Sequence, residues 1–426
     1  MFRTKSIKLS YYNLNLGLYL LLLFFAPLIF VSNTSELYEF PKTFFIYFFG
    51  STIIFLFLLH HILSPAKLKS PNFVVLAWLV SYVISTIFSS HLYTSVWGYF
   101  TRFNGGLVSV LVFFGIYFVA LNSFNRQDLK RLFCFAIFTL IPVGVYAISQ
   151  HYDFATSSPD NLRVYSTFGQ PDWLAAYLTM LLPVCLYLYL HEKSRIEMLV
   201  VYGALFLIGF AALWFAFSLS GLLGLLAGIV AYCALDYKSV FAKPAFTKML
   251  ILLVLCAFIA ALNLGFLQRR VNDLMIDAKK FITYQTTVYA ATNSYAISDA
   301  GFIRKGIWVG TVHLIFSNPK VFLVGTGPET FPYEFQKYRV PQLNYSSEWD
   351  FILNKPHNYY LEVFSQQGII GILVYLGLLF WTIKKRDLVA TPALIALYAT
   401  DIFSWPTVAT ALLFWFLLAY LEKEPE

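Results

Sequence analysis

The feature that most constrains this chain is a succession of long apolar stretches. Twelve such stretches, each poor in charged side chains, follow one another along the 426 residues. A helix needs about 20 mostly apolar residues to cross a bilayer. The predicted spans are 14–33, 43–62, 72–90, 105–122, 130–149, 170–190, 197–217, 219–235, 247–265, 361–383, 388–402 and 404–421.

The composition agrees with a membrane environment. Hydrophobic residues make up 59% of the chain and charged residues only 12%, whereas a soluble domain carries roughly 25% charged residues. Because helices satisfy their own backbone groups in lipid, we predict an all-α polytopic membrane protein. The net charge of +8 comes mainly from short loops between spans, which argues against nucleic acid as a partner.

The distribution of Lys and Arg predicts the orientation. Loops on the side of the N-terminus hold 17 of the 30 basic residues, and the short loops on the opposite side hold three, Lys42, Arg102 and Arg163. The other ten lie in the long segment 266–357, and long segments cross largely regardless of charge. The positive-inside rule therefore places both termini in the cytoplasm and segment 266–357 outside.

This pattern divides the chain into three parts. Residues 1–265 are predicted to form helices one to nine, residues 266–357 a large extracytoplasmic segment, and residues 358–426 the last three spans. Helical apolar spacing is present at 271–284 and 303–316, and 325–332 has the glycines and prolines of a turn. Residues 276–299 match no interpretable pattern.

The densest group of chemically useful side chains lies at 355–362, where His357, Asn358 and Glu362 precede or enter a predicted span. His357 can exchange protons near neutral pH, and a helix N-terminus at the outer face favours phosphate. In the alternative interpretation, His357 and Asn358 merely cap a helix at the interface. The local pattern leaves both interpretations open.

Arg304 and Trp308 are four residues apart and share one face of a predicted helix. An arginine fork matches phosphate oxygens, and the indole can stack on a sugar. The alternative is an interfacial arginine beside a membrane-belt tryptophan. The remaining candidates for substrate binding are outer-side arginines and turn glycines, namely Arg102, Arg163, Arg339, Gly325 and Gly327.

Several motifs are absent. The sequence contains no Asp-x-Asp pair for a divalent metal, no Walker A loop and no His-Glu-x-x-His motif. The four cysteines lie in apolar runs. We therefore expect no metal site, no disulfide framework and no cofactor.

The sequence motifs predicted on the outer side, taken in order, resemble those of the O-antigen ligase family. This family includes O-antigen polymerases and bacterial protein O-oligosaccharyltransferases. The resemblance covers roughly residues 95–385. It rests on 99–107, 166–177, 220–225, Arg304 with Trp308, 325–331, and the His357-Asn358 pair with Glu362.

The resemblance implies an inner-membrane, metal-independent, inverting glycosyltransferase with a helical GT-C-like fold. Such enzymes pass a glycan from an undecaprenyl diphosphate carrier to lipid A-core, a growing glycan or a protein hydroxyl. Arg304 would bind the carrier diphosphate, and His357 would lie at the reacting centre.

The sequence also departs from the family pattern at two places. Gly221 follows Ser220 where the family often has an arginine, and Gln366 stands where it often has a glutamate. Arg339, Arg102 or Lys305 are the candidates to replace the missing arginine. A rival function is a non-enzymatic flippase or exporter of lipid-linked glycans, which the scarcity of charges in the spans disfavours.

Overall fold

The computed structural model describes residues 2–34, 36–155, 163–262, 264–283, 300–346 and 348–424. Within these ranges the chain is helical, with connecting turns and no strand. This confirms the predicted all-α class. The helices are α1 (Phe2–Phe25), α2 (Glu39–Leu63), α3 (Phe73–Ile87), α4 (Leu92–Trp97), α5 (Leu107–Ser123), α6 (Arg126–Ala136), α7 (Leu140–His151), α8 (Pro171–His191), α9 (Ile196–Ala216), α10 (Leu219–Leu235), α11 (Tyr237–Val240), α12 (Lys243–Ala261), α13 (Leu264–Thr283), α14 (Ala300–Ile315), α15 (Pro319–Val324), α16 (Phe331–Glu334), α17 (Tyr359–Lys385), α18 (Ala390–Thr400) and α19 (Val408–Glu422).

Six helical segments of the described chain are long and apolar enough to cross a membrane: α2, the continuous α6–α7 segment, α8, α9, α12 and α17. Six shorter apolar helices accompany them: residues 10–25 of α1, and α3, α5, α10, α18 and α19. Each of the twelve predicted spans overlaps one of these twelve. The chain is therefore a multi-pass helical membrane protein.

The shortest of these helices is α18. Its 11 residues rise about 16 Å, which is about half the thickness of a hydrocarbon core. The helix ends at Thr400, and a non-helical stretch containing Pro406 leads to α19. This stretch carries Trp405 toward the site described below.

Helix α8 lies at the centre of the bundle, where it packs against α9, α10 and α18. Most of its residues are buried. Small residues allow this close packing. A Cβ atom added at Gly221 of α10 would lie 2.5 Å from the Cβ of Ala175 in α8. Position 221 therefore has no room for the arginine that the family pattern suggests.

Helix α17 is broken at Gly368, whose φ of 67° and ψ of −166° are not helical. The carbonyl oxygens of Ser365 and Gln366 at the break accept hydrogen bonds from the backbone N–H groups of Thr326 and Gly327, at 3.0 and 2.9 Å. The turn that follows α15 is thus fastened directly to the break in α17.

The segment between α12 and α17 contains α13, α14 and short helices. Its two predicted helices are present as α13 and α14, with α13 beginning at Leu264, earlier than expected. A small core of its own joins Phe302 and Ile307 of α14 to Phe331, Phe335 and Leu343. Residues 284–299, which include most of the uninterpreted stretch, lie outside the described residues.

Candidate active site

The turn before α8 is fixed by buried polar contacts. The side-chain oxygen of Gln150 accepts hydrogen bonds from the backbone N–H groups of Tyr165 and Ser166, and the Thr167 hydroxyl donates to the Pro27 carbonyl. Pro171 then begins the helix, as its fixed φ favours. As a result, Asp172 and Trp173 stand in the first turn of α8.

Asp172 pairs with two of the predicted arginines. Arg163 Nη2 lies 3.0 Å from Asp172 Oδ1, and Arg304 Nη2 lies 3.8 Å from Asp172 Oδ2. The Arg163 Nε also donates to the carbonyl of Ala216, at the end of α9. Two guanidinium groups from distant parts of the chain therefore converge on one carboxylate, and both remain partly accessible.

His357 lies near Arg304 and Asp172. Its φ is 55°, so it cannot continue a helix, and α17 begins only at Tyr359 with Asn358 as its N-cap. The helix therefore begins three residues after Pro356. The indole of Trp308 donates to the Pro356 carbonyl at 3.1 Å, and the His357 ring meets the Trp405 ring edge-on at 4.9 Å.

Burial, and then the positive charge of Arg304, lower the pKa of His357 from 6.5 to about 4, against the opposing effect of Asp172. Arg102 acts in the same direction as Arg304. The ring is therefore neutral at physiological pH in the unliganded protein. An anion bound between the arginines would offset their charge and raise this pKa, because it would favour the protonated ring.

Arg102 joins the cluster through aromatic stacking. Its guanidinium lies 4.9 Å from the Trp173 ring, and Trp173 lies 5.9 Å from Trp405. Trp405 thus connects His357 with Trp173 and Arg102. The structure brings together Arg102, Arg163, Arg304 and His357 of the predicted residues, and Trp308 supports the loop that carries His357.

Other predicted residues take different positions. The Arg339 guanidinium donates to backbone carbonyls of Glu348, Trp349 and Phe351, so it holds a loop. Asn358 caps α17 by accepting from the Leu361 N–H at 3.0 Å.

The two turn glycines permit contact between protein segments. Gly325 and Gly327 have positive φ, and a Cβ atom at Gly325 would lie 2.1 Å from backbone atoms of Gln366. The turn therefore packs on α17. Lys305, a proposed replacement for the missing arginine, donates to the Ile282 carbonyl.

Glu362 belongs to a buried ionic cluster. Lys355 Nζ donates to carboxylate oxygens of both Glu329 and Glu362, and all three side chains are at least nine-tenths buried. The two carboxylates raise the pKa of Lys355 despite its burial, so the lysine stays charged. This cluster ties the turn after α15 to the His357 loop and to α17.

Sequence reasoning missed three contributors: Asp172, Trp405 and the partnership of Glu329 with Lys355. Asp172 lies within the segment 166–177. A carboxylate in the first turn of a helix is expected there to interact with the helix dipole. Trp405 stood in a predicted span. No local pattern indicates that Glu329 and Lys355, 26 residues apart, meet.

The arrangement is suited to binding an anion. Three arginines and a neutral imidazole converge near the predicted outer end of the bundle, and the rings of Trp173 and Trp405 contact Arg102 and His357. Among the described residues, no group of three or more His, Cys, Asp or Glu side chains is placed to hold a metal ion.

Fold and site together define a multi-pass helical membrane protein with an arginine-rich site at one end of its bundle. The family model described as O-antigen ligase matches residues 204–376, so this region of the chain is similar to that family. The match includes Arg304, Glu329, Lys355 and His357. No curated protein and no solved structure gave a significant match.

Proposed function

We propose that this protein is a glycosyltransferase that moves a glycan from an undecaprenyl diphosphate carrier to an acceptor hydroxyl on the outer face of the bacterial inner membrane. The observation that carries the proposal is the convergence of Arg163 and Arg304 on Asp172 beside His357. A diphosphate is the anion that such a pair of guanidinium forks suits, and the similarity of residues 204–376 to the O-antigen ligase family suggests the reaction class.

The proposed reaction is a single displacement. The acceptor oxygen attacks the anomeric carbon of the first sugar and forms the new glycosidic bond. The bond between that carbon and the diphosphate oxygen breaks, and its electron pair leaves with the diphosphate. The hydroxyl proton passes to the neutral ring of His357, which later releases it to water. Attack opposite the leaving group inverts the anomeric centre.

In this proposal the protein itself supplies the positive charge. Arg304 and Arg163 exchange part of their contact with Asp172 for the diphosphate and stabilise the charge that develops as it leaves. Diphosphate binding also raises the proton affinity of His357 at the moment when a base is needed. The reaction therefore requires no divalent metal and no cofactor.

We further propose that all twelve apolar helices cross the membrane in a GT-C-like arrangement. Both termini lie in the cytoplasm, and residues 266–357 form the outer segment between spans nine and ten. The basic residues of the connecting loops support this orientation. The site then lies where a membrane-embedded carrier presents its diphosphate.

The acceptor defines the subclass. Lipid A-core would make the protein a ligase, a growing glycan would make it a polymerase, and a protein hydroxyl would make it an oligosaccharyltransferase. The non-enzymatic carrier is the rival, since an arginine pair also binds a diphosphate without chemistry.

A transfer assay with purified protein tests the proposal. Undecaprenyl-diphosphate-linked glycan and each acceptor class are incubated in detergent with EDTA, and products are identified by gel shift and mass spectrometry. We expect transfer by the wild type, and losses of roughly 10²–10⁴-fold for His357→Ala and roughly 10²–10³-fold for Arg304→Ala. The matched control is His313→Ala, because His313 is exposed on α14.

Transfer that survives both His357→Ala and Arg304→Ala would falsify the mechanism. Movement of the lipid-linked glycan across sealed vesicles without any transferred product would favour the carrier instead.

A further inference from the structure

A large groove opens at the end of the bundle remote from the candidate active site. It lies where α8 and α10 end and where α9 and α12 begin, and its volume is about 660 Å³, within the roughly 300–1,000 Å³ typical of small-molecule sites. Helix α8 carries Asp172 in its first turn and ends at His191, which lines the groove. The 21 residues of α8 rise about 30 Å, so the groove is separate from the reacting centre.

Three cations line the groove, Lys193, Arg195 and Lys248. Lys248 Nζ donates to three backbone carbonyl groups at the end of α8, which fixes its position. Lys193 and Arg195 are exposed, and within the part of the chain that the structure describes their side chains make no hydrogen bond or ion pair. These two side chains are therefore available to a ligand.

The acids near the groove do not cancel this charge. Among the described residues that line it, Glu192 is the only acid, and its Oε1 accepts hydrogen bonds from the backbone N–H groups of Ser194 and Arg195 at 3.1 and 3.0 Å. Asp236 pairs with His191, at 3.2 Å between Oδ2 and Nε2. The lining therefore carries three cations against one carboxylate, an arrangement that favours an anion.

The start of α12 adds to this preference. Ala242, its N-cap, lines the groove, has no capping side chain, and is followed by a first turn without an acid. The positive end of the α12 dipole therefore lies beside the cations and favours an anion in the same place.

Apolar surface continues from the groove along two helices. Ile196, which lines the groove, and Val200 lie one turn apart on α9 and are 65% and 63% exposed. On α12, Phe246 and Leu250 are likewise one turn apart and exposed. A soluble phosphate compound has no use for this surface, whereas the acyl chains of a phospholipid would cover it.

We propose that this groove binds the headgroup of an anionic phospholipid. Lys193 and Arg195 contact the phosphodiester, and the acyl chains lie along the exposed apolar faces of α9 and α12. Basic pockets between membrane helices recognise lipid headgroups by this combination of charge and apolar contact. The binding is independent of glycan transfer, because the groove and His357 lie at opposite ends of the bundle.

Native mass spectrometry tests the proposal. The full-length protein is stripped of lipid in detergent and titrated with phosphatidylglycerol, or with phosphatidylcholine that has identical acyl chains. Both lipids carry a phosphodiester and the same apolar part, but only the first has a net negative charge. We expect a single-lipid adduct that forms with phosphatidylglycerol at least about tenfold more tightly than with phosphatidylcholine.

The charge of the groove is tested by a double substitution. Lys193→Gln with Arg195→Gln should weaken phosphatidylglycerol binding roughly thirtyfold, from the contribution of each basic residue near anionic lipid. The matched control is Lys384→Gln with Lys385→Gln at the end of α17, which removes the same charge from exposed side chains outside the groove. The control should bind like the wild type.

The shape of the groove is tested without a change of charge. Ser239 lines the groove and is exposed, so Ser239→Trp occupies part of its volume and should also weaken the phosphatidylglycerol adduct. Thermal melting and gel filtration show that each variant is folded.

Two results would overturn the site. Equal binding of the two lipids by the wild type would mean that net charge is not recognised. Equal weakening in the groove variant and in the Lys384 and Lys385 variant would mean that phosphatidylglycerol follows the overall charge of the protein.

Competition identifies the source of the phosphate group. Inorganic phosphate, added in large molar excess over phosphatidylglycerol at constant ionic strength, should leave the lipid adduct in place, because it lacks the apolar part. Displacement by inorganic phosphate would assign the groove to soluble phosphate compounds and overturn its assignment to a lipid.

Discussion

At the residue scale, the buried ionic cluster of Lys355 with Glu329 and Glu362 tolerates substitution poorly. A buried charge is tolerated only while its partners remain. Removal of one charged side chain leaves the charges of the others uncompensated. Replacement of all three by neutral side chains lowers the free energy of unfolding far less. Stability and the position of the His357 loop therefore depend on the same three side chains.

We predict that Lys355→Met lowers the free energy of unfolding by about 3–5 kcal/mol, because two carboxylates stay buried without a cation. Adding Glu329→Gln and Glu362→Gln to Lys355→Met should restore part of the loss. Thermal melting in one detergent measures both effects. The matched control is Lys337→Met, whose exposed pair with Glu334 is screened by solvent, so that its loss should change the melting temperature little.

A second residue-scale prediction concerns pH. The pKa of His357 is about 4 in the folded protein against 6.5 in the unfolded chain, so the unfolded chain binds the proton more readily between these values. The stability that depends on the neutral ring is complete above pH 6.5 and is lost as pH falls toward 4. The wild type should therefore lose more stability over this interval than His357→Asn.

Asparagine is the suitable replacement because it tolerates the positive φ of position 357. The difference in Tm between wild type and variant, measured without substrate from pH 4 to 7, isolates this one group. A difference that does not change with pH would contradict the lowered pKa.

At the scale of elements, the break in α17 organises the site. Gly368 interrupts the helix, exposes two carbonyl groups, and so creates the acceptors that hold the turn 325–327. This turn in turn presents Glu329 to Lys355. A straight α17 would leave the turn without its anchor.

We predict that Gly368→Ala destabilises the protein by at least about 2 kcal/mol, since its φ and ψ are strained for any other residue. A Cβ atom there would also lie 2.3 Å from the Leu323 carbonyl. Gly377 of the same helix provides the control, because its nearest neighbour lies at 3.4 Å and its φ is ordinary. Gly377→Ala should be neutral or stabilise by up to about 1 kcal/mol.

Thermal melting of the two variants checks this prediction. Equal melting temperatures for Gly368→Ala and Gly377→Ala would mean that the break does not support the fold.

The elements differ in how far the sequence could predict them. Apolar length and loop charges are local properties, and they were enough to locate twelve apolar helices. The break at Gly368 is not local, because the glycine stands in an ordinary apolar run and its conformation depends on the Leu323 backbone. The site shows the same contrast between local and non-local features. Arg304 and His357 were predicted from residue type and position alone. Asp172 was missed because its partnership with Arg304 spans 132 positions of the sequence.

At the scale of the whole molecule, the orientation in the membrane is the property that the proposed reaction requires. Segment 266–357 and the site must face outward for a carrier-linked glycan and an outer acceptor to meet. A protein with the opposite orientation could not perform the proposed transfer.

Single cysteines at exposed positions test the orientation. We predict that a membrane-impermeant maleimide labels Gln342→Cys in intact cells, whereas it labels Ser194→Cys only after the cells are opened. Both positions are exposed, and the loop basic residues place them on opposite sides. The unmodified protein, with its four cysteines in apolar helices, gives the background. Reversed labelling would refute the outward orientation of the segment.

The hydrogen bonds from Thr326 and Gly327 to α17 have a consequence for protein engineering. If the proposed function holds, exchange of the outer segment with that of another glycosyltransferase would be a route to a new acceptor preference. In this chain, however, the backbone N–H groups of Thr326 and Gly327 in that segment donate hydrogen bonds to carbonyl groups of α17. A graft that ends at residue 357 would separate these donors from the helix that accepts their hydrogen bonds. A working chimera would have to carry the outer half of α17, through Gly371, as part of the same transplanted unit.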